Sequence, residues 1–558
     1  MNEDDIPRLL KDVPSIIFIE VRGAYVLQDI SPNSVDEINQ MKINPYLNLT
    51  GKGVLVGLID TGIDYLNKEF IREDGTSRIE SIWDQTIQAP VHPYHLGKEF
   101  TSDEINRALK AKANNQNPYD IVPSVDTNGH GTKIAGIIGA RGYDKAIEGV
   151  ANDCNFVVVK LAPSSNYKKI LKENGLQEVP VYNTPEVLAG IDYLYQYSIK
   201  VNKPLIVNIS VGTTVGAHNA NNLISTYLSE ISDKRGIIIV AGTGNEGLGD
   251  GHYSNNIKFV GEEDIIELNI TKDLKNFSLY IWITRPNRMS INITSPYSES
   301  SGYIDANISK KKVVNYILIN TTLTVRISDA DVTTGYETIK LSFKDIRKGI
   351  WKIGLKGDYI IDGRFHIWLL PLSLLPDGTR FLKPDPLNTL TIPSTALNVV
   401  TVAYYNSLTN SIVGTSGRGY NTDGAINPDI TTAGVNILTT SPGGIIATAS
   451  GSSAATAIVS GVCALIIQWA IIDNHDSEIF SAKVRSYLIY GADKDSNRTY
   501  PNETTGYGTL NILNTFEFIG GIYRNATSKY YEYESKSFLM RIEIDTYRIC
   551  DKRIDLFD

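Results

Sequence analysis

The chain has 558 residues, of which 42% are hydrophobic, and this is enough for a large domain with its own core and at least one further domain. Its formal net charge is −9 and no long lysine or arginine run is present, which argues against a nucleic-acid partner. The three cysteines, Cys154, Cys463 and Cys550, form an odd and widely spaced set, so we expect free thiols rather than a disulfide framework.

The first residues carry no recognisable targeting signal. Residues 1–5 have neither a basic segment nor a leading apolar stretch, and no run of about 18 uninterrupted apolar residues follows elsewhere. We therefore expect no signal peptide and no membrane span.

Short apolar runs recur along the chain and alternate with predicted helices. The runs cover residues 54–59, 156–161, 205–209, 237–241 and 399–403. Such alternation predicts an α/β fold with a doubly wound parallel sheet, helices on both faces, and a site at the carboxyl ends of the strands.

The segment from 253 to 388 has a different character. Helical periodicity gives way to strand patterns rich in β-branched and aromatic residues, with candidate strands at 267–270, 279–283, 313–318 and 363–369. This indicates an inserted all-β domain, of the sandwich or jelly-roll kind. The tail from 522 to 558, rich in tyrosine and charge, is interpreted as a surface extension.

Three short motifs place chemically useful side chains at element ends. Asp60 ends the first apolar run, where its carboxylate can orient an imidazole. His130 lies between glycines at the start of a predicted buried helix, and a neutral imidazole there can act as a general base. Ser453 opens a long apolar run, so its hydroxyl and N–H are predicted at a helix N-terminus, where negative charge is favoured.

A fourth motif follows the apolar strand predicted at 237–241. The side-chain amide of Asn245, in a glycine-rich loop, can donate to the oxyanion of a tetrahedral intermediate together with the Ser453 N–H. Acid, base and nucleophile therefore follow one another in a single chain, with an oxyanion donor between the last two.

These four segments resemble those of the subtilisin-like serine proteases. The resemblance implies a serine endopeptidase in which Asp60, His130 and Ser453 form the catalytic triad and Asn245 is the oxyanion-hole asparagine. It implies a protein substrate and no cofactor for the chemistry, and it leaves metal sites, including structural calcium, unknown.

The same resemblance assigns the substrate-binding backbone. The stretch Ser210, Val211 and Gly212 is similar to the family segment that pairs with the substrate and walls the primary specificity pocket. Gly242 and Gly244, in the loop that carries Asn245, are also assigned to substrate binding. Two positions depart from the family: Ser452 stands where threonine is usual, and Ala457 where proline is usual. Neither removes a catalytic group.

A narrower resemblance rests on the insertion together with residues 60–65 and 82–86. In these features the chain is similar to the clostridial Csp germination proteases. This implies limited cleavage of the precursor of a spore-cortex lytic enzyme, and a spore-associated or cytoplasmic location.

The N-terminal segment resembles a truncated prodomain, because residues 14–28 match only the last strand of the family's prodomain. Residues 25–28, before Asp29, are interpreted as a self-cleavage site or as an edge strand that joins this remnant to the core. The predicted domains are thus 1–28, 29–252 for the first part of the catalytic domain, 253–388 for the insertion, 389–521 for the second part, and 522–558 for the extension.

Two other functions fit the same sequence less well. A general degradative protease is disfavoured by the lack of a visible secretion signal, and a pseudoprotease that acts in binding or signalling is disfavoured by three intact catalytic side chains.

Overall fold

The computed structural model describes Asp12, the backbone of Ala24–Leu27, residue 94, and residues 48–88, 96–305, 310–328 and 334–522. Cys550, nearly all of the predicted extension and most of the predicted prodomain remnant lie outside these described residues.

A large, mostly parallel sheet forms the centre of the fold. From one edge to the other its strands are Ser411–Ile412, Val400–Asn406, Ile237–Gly242, Leu205–Ile209, Leu55–Asp60, Asn155–Lys160, Ile79–Asp84 and Lys98–Thr101, and Ile430–Ala433 also pairs with Val400–Asn406. The two short terminal strands run antiparallel to their neighbours, whereas the central pairs are parallel. The predicted α/β fold with a parallel central sheet is confirmed.

Alternate residues of each central strand point into two different cores, as the period of two in a strand requires. Val56 and Leu58 face one core, whereas Leu55 and Ile59 face the other. The first core is covered by the helices Ser102–Ala113, His130–Gly139, Ser452–Ile467, Ser481–Gly491 and Ile512–Ile522. The second is covered by Thr184–Val201 and Leu223–Ser232. Burial on both faces explains why these strands read as continuous apolar runs.

Two antiparallel sheets with a separate apolar core form the inserted part. In spatial order, the strands of one sheet are His252–Asn256, Arg364–Trp368, Leu274–Thr284, Tyr336–Ile346, Thr321–Ser328 and Lys311–Tyr316. Those of the other are Arg288–Thr294, Gly349–Tyr359, Glu263–Ile270 and Arg380–Phe381. The additional all-β sheets agree with the predicted insertion, while its exact bounds and its jelly-roll class stay predictions.

The remaining elements are short. They are the helix Ser165–Glu173, the 3-10 turns Lys68–Phe70, Pro118–Asp120 and Leu372–Leu374, the hairpin Ile437–Ser441 with Ile445–Ala449, and a small sheet in the order Val181–Asn183, Ala24–Leu27, Val211–Gly212. Ala24–Leu27 is therefore the middle strand of its sheet, and the interpretation as an edge strand is wrong.

One helix among the described residues is long and apolar enough to cross a membrane, by length and composition alone. It comprises Ser452–Ile467 with its π-helical continuation Gln468–Ile472. Of its most apolar stretch, 89% is buried inside the fold, as in the core helix of a globular domain.

Candidate active site

Asp60 is the last residue of a fully buried central strand, and the chain turns sharply after it. The helix that begins at His130 approaches this turn very closely, because a Cβ on Gly131 would lie 2.1 Å from the carbonyl oxygen of Gly62. Glycine at position 131 is thus what lets the two catalytic segments touch.

His130 begins its helix after Gly129, which has a φ of +84° that suits glycine. The loop before it is fixed by Asp126, a buried carboxylate that sequence reasoning missed. One oxygen of Asp126 accepts from the Thr61 hydroxyl and the Gly129 N–H, both at 2.8 Å. The other accepts from the N–H and the hydroxyl of Thr132 at 2.9 and 2.7 Å. Four donors therefore satisfy the Asp126 carboxylate. In the sequence, an Asp three residues before a glycine turn is the pattern that could have identified it.

The structure brings Asp60 and His130 into direct contact. Nδ1 of His130 lies 2.8 Å from each carboxylate oxygen of Asp60, and both side chains are almost completely buried. Because an ionised carboxylate only accepts hydrogen bonds, Nδ1 carries the proton, and the lone pair of the neutral ring is on Nε2. This is the tautomer that a general base for a hydroxyl proton requires.

Ser453 is the second residue of the helix Ser452–Ile467, which follows Gly451 with a φ of +92°. The Ser453 hydroxyl faces the end of a central strand, since it donates to the Ser210 carbonyl oxygen at 3.4 Å. The helix packs against the His130 helix. A nucleophile at this helix N-terminus lies where the helix dipole stabilises a developing negative charge.

Asn245 follows the strand Ile237–Gly242 and is half-buried. Its Oδ1 accepts from the Tyr404 hydroxyl at 2.7 Å and from the Ser452 N–H at 3.2 Å. The Ser452 hydroxyl in turn accepts from the Gly244 N–H at 3.0 Å. The serine that replaces the family's threonine therefore ties the asparagine loop to the start of the serine helix.

Two of the predicted substrate-binding residues, Val211 and Gly212, form one wall of a groove whose other wall is the strand Val181–Asn183. The backbone of Val211 and Gly212 pairs antiparallel with Leu27 and Val26. On its other side, the strand Ala24–Leu27 pairs antiparallel with Val181–Asn183. A stretch of this chain thus lies in the groove as an added β-strand, which is how a sheet edge recognises an extended peptide.

The family model of the subtilases matches residues 51–301 and 382–508, which include every residue of the arrangement described above apart from the short strand in the groove. The chain belongs to the subtilase family. The interruption of the match falls among the strands of the inserted sheets.

One solved structure and two curated sequences are similar to this subtilase. The solved structure of the Clostridium perfringens CspB protease is 32% identical in sequence, with a TM-score of 0.76 over 86% of this chain and 95% of that one. The Bacillus subtilis minor extracellular protease Epr is 33% identical over 255 residues, 43% of this chain and 30% of Epr. The major intracellular serine protease of the same organism is 26% identical over 200 residues, 36% of this chain and 45% of that protein. The chain therefore spans less than half the length of these two curated relatives.

Glu246 is a second buried carboxyl near the candidate site of this subtilase that sequence reasoning did not single out. It follows Asn245 directly, and one oxygen of its carboxyl accepts from the Leu372 N–H of the insertion at 3.1 Å. Burial raises the pKa of the Glu246 carboxyl from 4.5 to about 7, and the hydrogen bond from Leu372 offsets this only in part. A carboxyl that titrates near neutral pH therefore lies next to the residue predicted to bind the oxyanion.

The insertion also contacts segments that are close in sequence to each wall of the groove. The Thr214 hydroxyl, just after the Val211–Gly212 strand, donates to the Leu369 carbonyl oxygen at 2.6 Å. On the opposite side Asn174 and Asn276 exchange two hydrogen bonds of 2.9 and 3.0 Å.

The described residues contain no group of three or more His, Cys, Asp or Glu side chains arranged to hold a metal ion. Cys154 and Cys463 are buried free thiols, as predicted for these two positions. Burial raises the pKa of the Cys154 thiol to about 11 and that of the Cys463 thiol further, so both behave as inert core residues.

Proposed function

We propose that this chain is a subtilisin-like serine endopeptidase that performs limited processing of a protein substrate. The observation that carries the proposal is the buried hydrogen bond between Asp60 and His130, which leaves Nε2 as the basic nitrogen of the imidazole. Membership of the subtilase family supports the same chemistry.

In this mechanism the Ser453 hydroxyl attacks the carbonyl carbon of the scissile bond while Nε2 of His130 takes its proton. The oxyanion that forms accepts hydrogen bonds from the Asn245 side-chain amide and the Ser453 N–H. His130 then returns the proton to the leaving amine. Water, activated by the same imidazole, finally hydrolyses the acyl-enzyme.

The substrate of this reaction is an extended peptide. Support comes from Ala24–Leu27, which occupies the groove as an antiparallel strand between Val181–Asn183 and Val211–Gly212. Since Gln28 and Asp29 come next, the bond between them is the proposed self-cleavage site, with the preceding strand held as a product would be.

The biological substrate we propose is the precursor of a spore-cortex lytic enzyme, cleaved during germination, with the protease in a spore-associated or cytoplasmic location. The likeness to CspB over most of both chains supports this choice. Limited rather than degradative cleavage is supported by the insertion, whose contacts through Leu369 and Asn276 are with segments close in sequence to each wall of the groove.

The test combines a fluorophosphonate probe with intact-mass analysis. The parent chain should be labelled at Ser453 and should lose residues 1–28, whereas Ser453→Ala should do neither, because the nucleophile is missing. Ser486→Ala, at an exposed serine of another helix, is the matched control and should behave as the parent. Failure of the parent to label would leave only a binding role for the fold.

The proposed substrate is tested with a purified cortex-lytic precursor and an unrelated unfolded protein. A single cleavage of the precursor that generates lytic activity supports processing, while many fragments from both proteins would indicate a degradative protease.

A further inference from the structure

A buried phenol lies directly behind the proposed oxyanion site. Tyr404 is on the strand Val400–Asn406 and is 2% exposed. Its hydroxyl lies 2.7 Å from Oδ1 of Asn245 and 2.6 Å from the hydroxyl oxygen of Thr415. None of the sequence motifs includes either Tyr404 or Thr415.

The direction of every hydrogen bond in this group follows from one backbone donor. The Ser452 N–H can only donate, so the Asn245 atom that faces it at 3.2 Å is the oxygen and not the nitrogen. Tyr404 faces the same oxygen, which cannot donate, and therefore gives it its single proton. Thr415 must then donate to the Tyr404 oxygen, and the chain runs from Thr415 through Tyr404 to Asn245.

These two donors fix the orientation of the amide. With Oδ1 of Asn245 held by Tyr404 and by the first turn of the serine helix, the NH2 group lies in the same plane, on the other side of the Cβ–Cγ bond axis. Turning the amide over would break both bonds and set an N–H group of the side chain against the Ser452 N–H, which can only donate.

We propose that Tyr404 is a positioning residue of the oxyanion site: its hydroxyl holds the Asn245 amide with the NH2 group aimed at the reacting carbonyl. This inference rests on the proposed peptidase function and names a group outside the triad that the reaction needs. Hydrogen bonding at Oδ1 also polarises the amide, which makes its N–H a stronger donor to an oxyanion.

The surroundings keep this phenol in place and protonated. Gly434 packs on the Tyr404 side chain so closely that an added Cβ would lie 2.5 Å from Cβ of Tyr404. Burial raises the pKa of Tyr404 to about 12, so the hydroxyl remains a donor at every pH at which a histidine base operates.

The experiment uses Tyr404→Phe in the full chain, because this change keeps the ring and removes only the donor. Loss of a whole oxyanion donor lowers kcat by about 10²- to 10³-fold. We expect Tyr404→Phe to lower kcat by about tenfold with KM unchanged, since the amide keeps the Ser452 bond but loses its second anchor. Fluorogenic peptides carrying the Tyr-Val-Leu-Gln sequence of residues 25–28 serve as substrates. The amount of fluorophosphonate bound per chain at the end of labelling gives the fraction of folded sites, to which kcat is normalised.

A double-mutant cycle separates positioning from general destabilisation. In the Asn245→Ala background Tyr404→Phe should have less than about a twofold effect, because nothing is left to orient. Tyr316→Phe is the matched control: its buried hydroxyl donates to the Ile293 carbonyl oxygen at 2.8 Å within the insertion, and its loss should leave kcat unchanged.

Full kcat per labelled site in Tyr404→Phe, or independent effects of the two changes, would overturn the positioning role. A parent chain that neither labels nor hydrolyses would instead refute the proposed function, so the two failures are distinguishable.

Discussion

Replacement of Glu246 by glutamine gives a quantitative test of whether this buried carboxyl, at the contact between the asparagine loop and the insertion, binds its proton more tightly in the folded chain. Glutamine keeps an oxygen that can accept the Leu372 N–H, which the carboxyl now does at 3.1 Å, but it cannot ionise. The variant therefore removes the titration and retains the contact.

The expected magnitude follows from the pKa of Glu246, which burial raises from 4.5 to about 7 in the folded chain. A raised pKa means that the bound proton stabilises the fold. This contribution is complete below pH 4.5 and is lost as the pH rises through about 7. Each pKa unit is worth about 1.4 kcal/mol, so the free energy of unfolding falls by about 3 kcal/mol between pH 4 and pH 8 through this one group.

The assay is urea unfolding at pH 4, 5, 6, 7 and 8 with constant ionic strength, in the Ser453→Ala background to prevent self-digestion. The free energy of unfolding of Glu246→Gln should equal that of its parent at pH 4 and exceed it by about 3 kcal/mol at pH 8. Most of this difference should develop between pH 4.5 and 7. Glu230→Gln, at an exposed glutamate on the helix Leu223–Ser232, removes the same formal charge and is the matched control. A stability difference that stays constant across this pH range would refute the reasoning.

Two further predictions concern the junction between insertion and sheet. Burial lowers the pKa of His218 from 6.5 to about 4, and its ring stacks on Trp368 at 4.1 Å, so folding stability should fall as the pH drops from 6.5 to 4. His218→Phe keeps the stacking, and its free energy of unfolding should be lower than that of the parent at pH 7. At pH 4 this difference from the parent should be smaller by about 3 kcal/mol, because only the parent loses stability through the histidine. A difference that is the same at both pH values would contradict this. Replacing residues 257–363 by an Asn-Gly turn is possible because Asn256 and Arg364 are paired. Per labelled site, small-peptide kcat/KM should stay near the parental value while more sites are cut in a folded protein, and loss of peptide hydrolysis would refute a purely steric role.

The central sheet was predictable from the sequence because its strands are buried on both faces. The predicted run 205–209 coincides with the strand Leu205–Ile209, and the run 237–241 differs from Ile237–Gly242 by one residue. Such strands are apolar at nearly every position, so the signal does not depend on knowing which face is covered.

The inserted strands were predicted less completely. Tyr336–Ile346 and Gly349–Tyr359 were not identified, although Ile339, Leu341 and Phe343 alternate with polar residues and face the core of the insertion. The period-two pattern was present in the sequence, but the pairing of these strands depends on contacts between distant segments.

Some residues of the candidate site could likewise be predicted from the sequence, whereas another could not. Asp60, His130, Ser453 and Asn245 could be predicted because each lies in a local motif at the end of an element. Tyr404 could not, since the hydrogen bond to Asn245 spans 159 residues and requires the orientation of its strand. In the folded chain Tyr404 follows Val400 and Val402 on the face toward the serine helix. That face brings its hydroxyl to the asparagine loop.

The loop 242–247 illustrates how distant segments of the chain position one candidate catalytic side chain. Its glycine amide is held by the Ser452 hydroxyl, its asparagine by Tyr404, and its glutamate by Leu372, and all three partners follow the loop in the chain. Leu372 belongs to the insertion, whereas Tyr404 and Ser452 follow it. The geometry of the proposed oxyanion donor therefore depends on contacts with segments that come later in the chain, and all three of these contacts lie outside the residues 257–363 that the deletion removes.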